Sequence, residues 1–225
     1  MRRNDARRGY DDACGTAHAL ELIGERWALL VLRELLLGPR RFSELRADLP
    51  GVSANVLTQR LSELEVRGLV RRRRLPPPAS VQVYEATEWG LETATLIREL
   101  GRWAARSPAH DPTLPLSGVS IMLSFTAMLN PERARGLAAA VAFRFGEVTY
   151  LAEVEGGKIH VRRGEPGEGE AMIIAPPTDI AGVVYGGAPL DLLKIEGDRR
   201  LAKRFLSLFT LPPKADVPPG ETSAG

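Results

Sequence analysis

The sequence predicts an α+β chain in two domains: a mostly helical first half carrying a two-stranded hairpin, and a mixed sheet-and-helix second half. Three observations support this. The length, 225 residues, suits two cores, since domains of about 100 to 150 residues are commonest. Apolar residues recur at helical spacing in the first half, whereas Val141, Phe143 and Phe145 alternate with Ala142, Arg144 and Gly146 in the second. Between them "ARSPAHDPTLPLSG", residues 105–118, carries three prolines and no apolar period, as a linker does. We therefore expect a flexible basic arm over 1–12, a first domain over 13–106, a linker over 107–118, a second domain over 119–215 and a disordered tail over 216–225.

Composition narrows the function classes. Hydrophobic residues make up 44% and charged residues 26% of the chain, as in an ordinary globular protein. Apolar runs such as Ala28 to Leu32 stop far short of the roughly 18 residues that a bilayer span needs. "MRRNDARRGYDD" has no apolar core behind it, so it does not read as a secretory signal, and a cytoplasmic location is expected with no membrane partner. One cysteine, Cys14, cannot form an intramolecular disulfide, and with His18, His110 and His160 scattered it does not resemble a metal site. No Ser-His-acid order, phosphate-binding glycine loop or paired carboxylates stand out, and no enzyme, metal or cofactor is expected. Charge is divided unevenly. Residues 1–108 carry 18 Arg, no Lys and 14 acids, a net of +4, while residues 109–225 carry 12 Lys plus Arg and 14 acids, a net of −2. An anionic partner would meet the first half.

Within that half, "ALELIGERWALLVLRELLLGPRR" spaces its apolar residues for two mutually buried helices, ended by Gly38 and Pro39. A short helix in "FSELRADLP" is expected with Ser43 as N-cap, followed by a turn at Pro50-Gly51. Ser53 then caps "SANVLTQRLSELEVRGL". Its Leu57, Leu61 and Leu64 lie within about 60° of one another at 100° per residue, and Asn55, Thr58, Gln59 and Ser62 occupy the opposite face. That face is polar but uncharged. It is either a plain surface or one suited to base edges in a major groove, because amides and hydroxyls both donate and accept hydrogen bonds. Short helix, Pro-Gly turn and second helix is the order of a helix-turn-helix.

After Gly68, "LVRRRRL" and "SVQVYEAT" read as strands joined through "PPPAS". Strand geometry sends Arg71 and Arg73 to one side and Arg72 and Arg74 to the other. A hairpin directly after a recognition helix is the wing of a winged helix, whose guanidinium groups bind phosphates or enter a narrow minor groove. The alternatives are a solvated strand edge or a localisation tag. Thr87 caps a last helix, "EWGLETATLIRELGRWAARS", whose Leu91, Leu96, Leu100 and Trp103 form a stripe able to pair with a second copy.

Cys14, "IGERWALLVLRELLLGPRRFSEL", "VLTQRLSELEVRGLVRR", "VQVYEATEWG" and the terminal Leu100 and Trp103 together resemble the HxlR-type winged helix family of bacterial transcription regulators, over about 95 residues. The family usually has Pro after its cysteine and Leu-Thr before the last helix; here Gly15 follows Cys14, and Ala86 precedes Thr87. The resemblance implies a homodimer on double-stranded, pseudo-palindromic operator DNA, with the first and last helices at the dimer interface. Carried over by position, Arg41 and Ser43 contact the DNA backbone at the start of the motif's first helix, and Ser53 is a further DNA-binding residue. Asn55, Thr58, Gln59 and Arg60 are the recognition-helix contacts, and Arg72, Arg73 and Arg74 the wing contacts. Some relatives use the cysteine as an oxidant sensor, so Cys14 is either a redox sensor or a packed, inert thiol.

In the second half, "VSIMLSFTAML" is a helix, Asn130 caps "PERARGL", and Gly156-Gly157 turns a hairpin within "AVAFRFGEVTYLAEVEGGKIHVRRGE". "AMIIAPP" is a further strand, and "TDIAGVVYG" and "GDRRLAKRFLSLF" are helices expected to be capped by Thr178 and Asp198. The order over "AMIIAPPTDIAGVVYGGAPLDLLKIEGDRRLAKRFLSLF" resembles the sterol carrier protein type 2-like fold. That resemblance implies a cavity for a hydrophobic small molecule. Phe125, Met128, Phe143, Phe145, Tyr150, Met172, Tyr185, Phe205 and Phe209 either line such a cavity or fill a core. The function expected is an effector-responsive, homodimeric DNA-binding regulator. The alternatives are a regulator whose second domain is only structural, with sensing left to Cys14, and a lipid carrier or accessory protein that does not act on DNA.

Overall fold

The computed structural model describes residues 9–165 and 167–216. The basic arm expected over 1–12 lies outside them as far as residue 8, and the expected tail from 217 onward does too. The chain divides into two compact units between Thr93 and Ala94. That division falls inside a helix, ahead of the linker expected at 107–118.

The first unit contains α1 (Gly15–Ile23), α2 (Ala28–Leu35), α3 (Phe42–Asp48), α4 (Ala54–Val66), β1 (Val70–Arg74), β2 (Gln82–Ala86) and the start of α5 (Glu88–Ala104). Its core is leucine-rich: Leu32, Leu35, Leu45, Leu57, Leu61 and Leu64 are buried. The stripe on α4 is therefore inward, as its spacing predicts. Ser53 caps α4, accepting the Val56 N–H at 3.3 Å, and Gly68 follows at φ 75°, the left-handed turn that ends a helix cheaply only with glycine. Ser43 is not a cap. The helix starts earlier, with Arg41 as N-cap, because Glu44 reaches back to accept the Arg41 N–H at 2.8 Å. Between α1 and α2 the chain turns at Trp27, whose φ of 78° is unusual for a bulky residue.

β1 and β2 pair antiparallel with Arg71 opposite Glu85, Arg72 opposite Tyr84, Arg73 opposite Val83 and Arg74 opposite Gln82. Arg40 adds a short third rung, exchanging both backbone hydrogen bonds with Tyr84 at 2.9 and 2.8 Å. Thr87 joins the end of this hairpin to α5. Its hydroxyl donates to the Gly68 carbonyl at 2.7 Å and accepts the Gly90 N–H at 3.0 Å. A Cβ on Gly90 would overlap the Leu69 carbonyl oxygen, so this close start of α5 needs glycine.

The second unit takes the rest of α5, then α6 (Gly118–Met128), α7 (Pro131–Ala134), β3 (Ala139–Phe145), β4 (Val148–Glu155), β5 (Lys158–Gly164), β6 (Ala171–Ile174), α8 (Pro177–Tyr185), β7 (Lys194–Gly197) and α9 (Arg199–Leu206). Among its described residues five strands run in the order β5-β4-β3-β6-β7, antiparallel except for the β3–β6 pair. Gly156 and Gly157, both at positive φ, turn β4 into β5. Asn130 and Asp198 cap α7 and α9 as expected. Thr178 does not cap α8, because Pro177 takes the first helical position and Pro176 precedes it. The start of the expected linker is tied down: Lys214 Nζ donates to the Ala105 and Ser107 carbonyls at 3.2 and 2.9 Å.

Leu61 sits 1% exposed between α4 and the rest of the first core. Leu61→Ala should lower stability by about 2–5 kcal/mol, read as a lower urea midpoint at unchanged slope.

Candidate nucleic-acid interface

Burying Leu57, Leu61 and Leu64 turns the other side of α4 outward, and Asn55, Thr58, Gln59 and Ser62 are all exposed there. The Thr58 hydroxyl donates to the Ala54 carbonyl at 2.9 Å and the Gln59 amide donates to Glu63 at 2.9 Å. Each keeps further donor or acceptor capacity toward solvent. Arg41 and Ser43 are exposed at the start of α3, and Ser53 is exposed at the start of α4.

Arg60 departs from this face. It is buried, ion-paired with Glu63 and at 3.5 Å with Glu25. At about 100° per residue it falls roughly 40° from Leu64, at the border of the apolar stripe and away from Asn55 and Gln59. The structure places Arg60 as an anchor that ties α4 to the α1–α2 corner, not as a contact on the outward face. Arg67 adds a second tie, donating to the Leu22 carbonyl at 2.8 Å.

The four arginines of β1 separate as strand geometry requires. Arg71 and Arg73 lie on the face of Val83 and Glu85, and both donate Nε to the Glu85 carboxylate, at 2.6 and 2.8 Å. Burial raises the Glu85 carboxyl, and the two guanidinium partners more than offset this, leaving it below the usual carboxylate range. On the other face Arg72 makes a fork with Glu65 at the last turn of α4, Nε to both oxygens at 3.0 Å and Nη2 at 2.8 Å. Hydrogen bonding from Arg72 holds Glu65 below its ordinary value. Arg74 donates Nε to the Ser80 carbonyl at 3.3 Å. Arg72, Arg73 and Arg74 with Ser80 and Gln82 line a surface concavity of about 360 Å³. Sequence reasoning missed both carboxylates, although Glu85 is signalled by its position directly across the hairpin from Arg71.

Leu91, Leu96, Leu100 and Trp103 are exposed along α5, Leu96 at 55% and Trp103 at 71%. Trp89 and Leu20 are exposed as well and escaped the sequence reading, and Leu30 is exposed where the apolar spacing of its helix had put it in the buried set. Cys14 is exposed at the N-cap of α1, which corrects the expectation of a packed thiol. The nearby backbone N–H groups of Thr16 and Ala17, then the Thr16 hydroxyl, favour the thiolate and lower its pKa.

The residues expected around a ligand cavity do not behave alike. Phe125, Phe143, Phe205 and Phe209 are buried and meet ring to ring, with centroids 4.3 to 6.0 Å apart. Their mutual ring contacts are those of a core, the second of the two alternatives for these residues. Met128 and Tyr150 are buried too, Tyr150 with its ring 5.9 Å from that of Phe145. Phe145, Met172 and Tyr185 are half-buried. The Tyr185 hydroxyl lies 2.9 Å from Ser124 Oγ, and burial raises its pKa well above the usual phenol value. His160 lies on β5. Among the described residues no cluster of His, Cys, Asp or Glu could hold a metal ion, and no helix is long and apolar enough to cross a membrane.

A Pro-Gly turn between two helices, an outward polar face on the second and an arginine hairpin behind it define a DNA-binding module of the helix-turn-helix class. Known proteins agree with this assignment. The HxlR-like helix-turn-helix family matches residues 22–111. The HTH-type transcriptional regulator YvaP of Bacillus subtilis (strain 168), itself uncharacterized, is 38% identical over 86 residues, covering 38% of this chain and 80% of that relative. YodB, an HTH-type transcriptional regulator of the same strain, is 36% identical over 86 residues, covering 38% and 77%. The reduced form of YodB from B. subtilis, a solved structure, aligns with a TM-score of 0.39 at 32% identity, over 44% of this chain and 100% of that one. The chain belongs to the HxlR-like helix-turn-helix family of transcriptional regulators.

Glu85 is the group whose ionisation the wing depends on. Its lowered folded pKa means that its pairing contributes stability above the unfolded Glu value, about 4.3, and that this is lost as pH falls through the lower folded value. Acid unfolding followed by circular dichroism should show Glu85→Gln less stable than wild type near neutrality, with the difference shrinking below about pH 4.

Proposed function

We propose that the chain acts as a homodimer that binds operator DNA through α4 and the wing, and that a hydrophobic small molecule in the second unit adjusts this binding. The observations that carry the proposal are the outward polar face of Asn55, Thr58, Gln59 and Ser62 on α4 and the concavity that Arg72, Arg73 and Arg74 line with Ser80 and Gln82 on the hairpin. Amides and hydroxyls read base edges in the major groove, and arginines fix the register on phosphates. The exposed stripe on α5 supports self-association, which would set two recognition helices about one DNA turn, roughly 34 Å, apart on a pseudo-palindromic site.

For the second unit, the order of strand, helix, glycine-rich turn and terminal helix supports a sterol carrier protein type 2-like domain. With the four buried phenylalanines packed together, a ligand would have to enter beside the half-buried Phe145, Met172 and Tyr185. An effector acts only if it prefers one arrangement of the dimer over another. A second reading is favoured by the exposure and lowered pKa of Cys14: the second unit is structural, and the thiolate senses oxidants. A lipid carrier or accessory protein that never acts on DNA has no such support from α4 and the wing.

Gel retardation on the protein's own upstream DNA should show a shift at low salt; its absence would defeat the regulator proposal. Gln59→Ala should cost about 1–3 kcal/mol and relax base preference at one position. The pair Arg72→Ala with Arg74→Ala should reduce the slope of log K against log salt by roughly 1.8, about 0.9 for each phosphate no longer neutralised, and the pair Arg71→Ala with Arg73→Ala should reduce it less. A shift that lipid extract leaves unchanged, but that diamide abolishes in wild type and not in Cys14→Ser, would select the second reading.

A further inference from the structure

We infer that the outer face of α9 is a second polyanion-binding surface, which takes the phosphate backbone of duplex DNA flanking the operator. This rests on the proposal that the chain binds operator DNA, but the surface belongs to the second unit and to residues outside the family match at 22–111.

α9 has sharply divided faces. Ala202, Phe205 and Leu206 are buried against the sheet, while Arg199, Arg200, Lys203 and Arg204 are exposed. Arg199 is ion-paired with Asp191 at 2.6 Å. Among the described residues no carboxylate lies within ion-pair distance of Arg200, Lys203 or Arg204. Several other cations of this unit are matched: Arg135 with Glu132, Arg162 with Glu153 and Glu168, and Lys194 with Glu196. Arg133 continues the strip beyond the helix, donating Nη1 to the Ser207 carbonyl at 2.9 Å.

Two features of the free protein disfavour this arrangement. Arg200 faces Lys203 and Arg204 at helical spacings of three and four, where like charges repel. Arg199 and Arg200 occupy the first two helical positions, where the helix dipole disfavours cations, although Lys203 and Arg204 in the last turn are favoured by it. Both penalties ease when an anionic polymer lies along the face.

The geometry selects the polymer. From Arg200 past Arg204 to Ser207 the strip runs about 10 Å at 1.5 Å per residue, which spans roughly three phosphates at 3.4 Å of axial rise along one strand. A membrane surface fits less well, because an interfacial helix needs an apolar face to insert and the apolar face of α9 is already buried in its own core. Duplex DNA is also the polyanion that operator binding brings to the chain at high effective concentration.

The test uses the full chain and the variant Arg200→Gln, Lys203→Gln, Arg204→Gln. Binding is measured against salt on two duplexes from the upstream region, one trimmed to the footprint of the winged-helix units and one longer by about two turns, roughly 20 base pairs. The expected result is a wild-type salt slope steeper on the long duplex. The variant should lower that slope by about 2 to 3 on the long duplex, bind the short one unchanged, and still unfold cooperatively, since relieved repulsion and lost dipole pairing oppose each other. Equal slopes for variant and wild type on the long duplex would overturn the inference. So would a variant that no longer unfolds cooperatively, which would assign the charges to the fold, or one that loses binding only to vesicles of anionic phospholipid. Wild type failing to bind even the short duplex would instead count against the operator-binding proposal.

Discussion

The burial of Leu57, Leu61 and Leu64 orients everything that follows in the first unit. A helix has one rotational setting in which three leucines within about 60° all reach a core, and in that setting Asn55, Thr58, Gln59 and Ser62 must look outward. Arg60 and Arg67 then fix the helix along its length, one through carboxylates and one through the Leu22 carbonyl. The outward polar surface is thus a consequence of packing on the other side of the same helix.

Electrostatics does for the hairpin what packing does for α4. Four arginines side by side would repel one another, and two carboxylates from different elements relieve this: Glu85 from across the hairpin and Glu65 from the end of α4. The Glu65 fork also ties the hairpin to α4, so the two elements share an ion pair. Exposed pairs of this kind contribute little stability individually, and their effect is better understood as restraint on where the guanidinium groups can go.

The element order was legible from residue types whose effect is local. Ser53, Asn130 and Asp198 cap their helices because each puts an acceptor oxygen beside free backbone N–H groups. Ser43 and Thr178 were misleading for the same local reason: a cap-forming residue stood nearby, but Glu44 and Pro177 let the helices begin sooner. Arg60 was partly legible, since its angle on the helix lies beside the stripe even though its type suggested an exposed contact. The phenylalanine cluster was not, because alternation in β3 and amphipathicity in α9 do not say which rings meet; the contacts among Phe125, Phe143, Phe205 and Phe209 exist only in three dimensions. The exposure of Cys14 depended on where α1 begins, which its sequence signals only weakly.

One property of β1 sets how its sequence can change. Four identical side chains carry no information about alignment, so the run itself cannot tell one pairing with β2 from the next. Alignment comes from its neighbours: Val70 and Val83 are buried on opposite faces, and Arg40 clasps Tyr84 through the backbone. Because side chains alternate, a shift of one position moves each to the other face. Inserting one residue between Val70 and the run would keep all four arginines and yet move each to the other face, exchanging the pair clasped by Glu85 for the pair beside Glu65. In this hairpin the number of arginines is a looser constraint than the parity of the chain between Val70 and Val83.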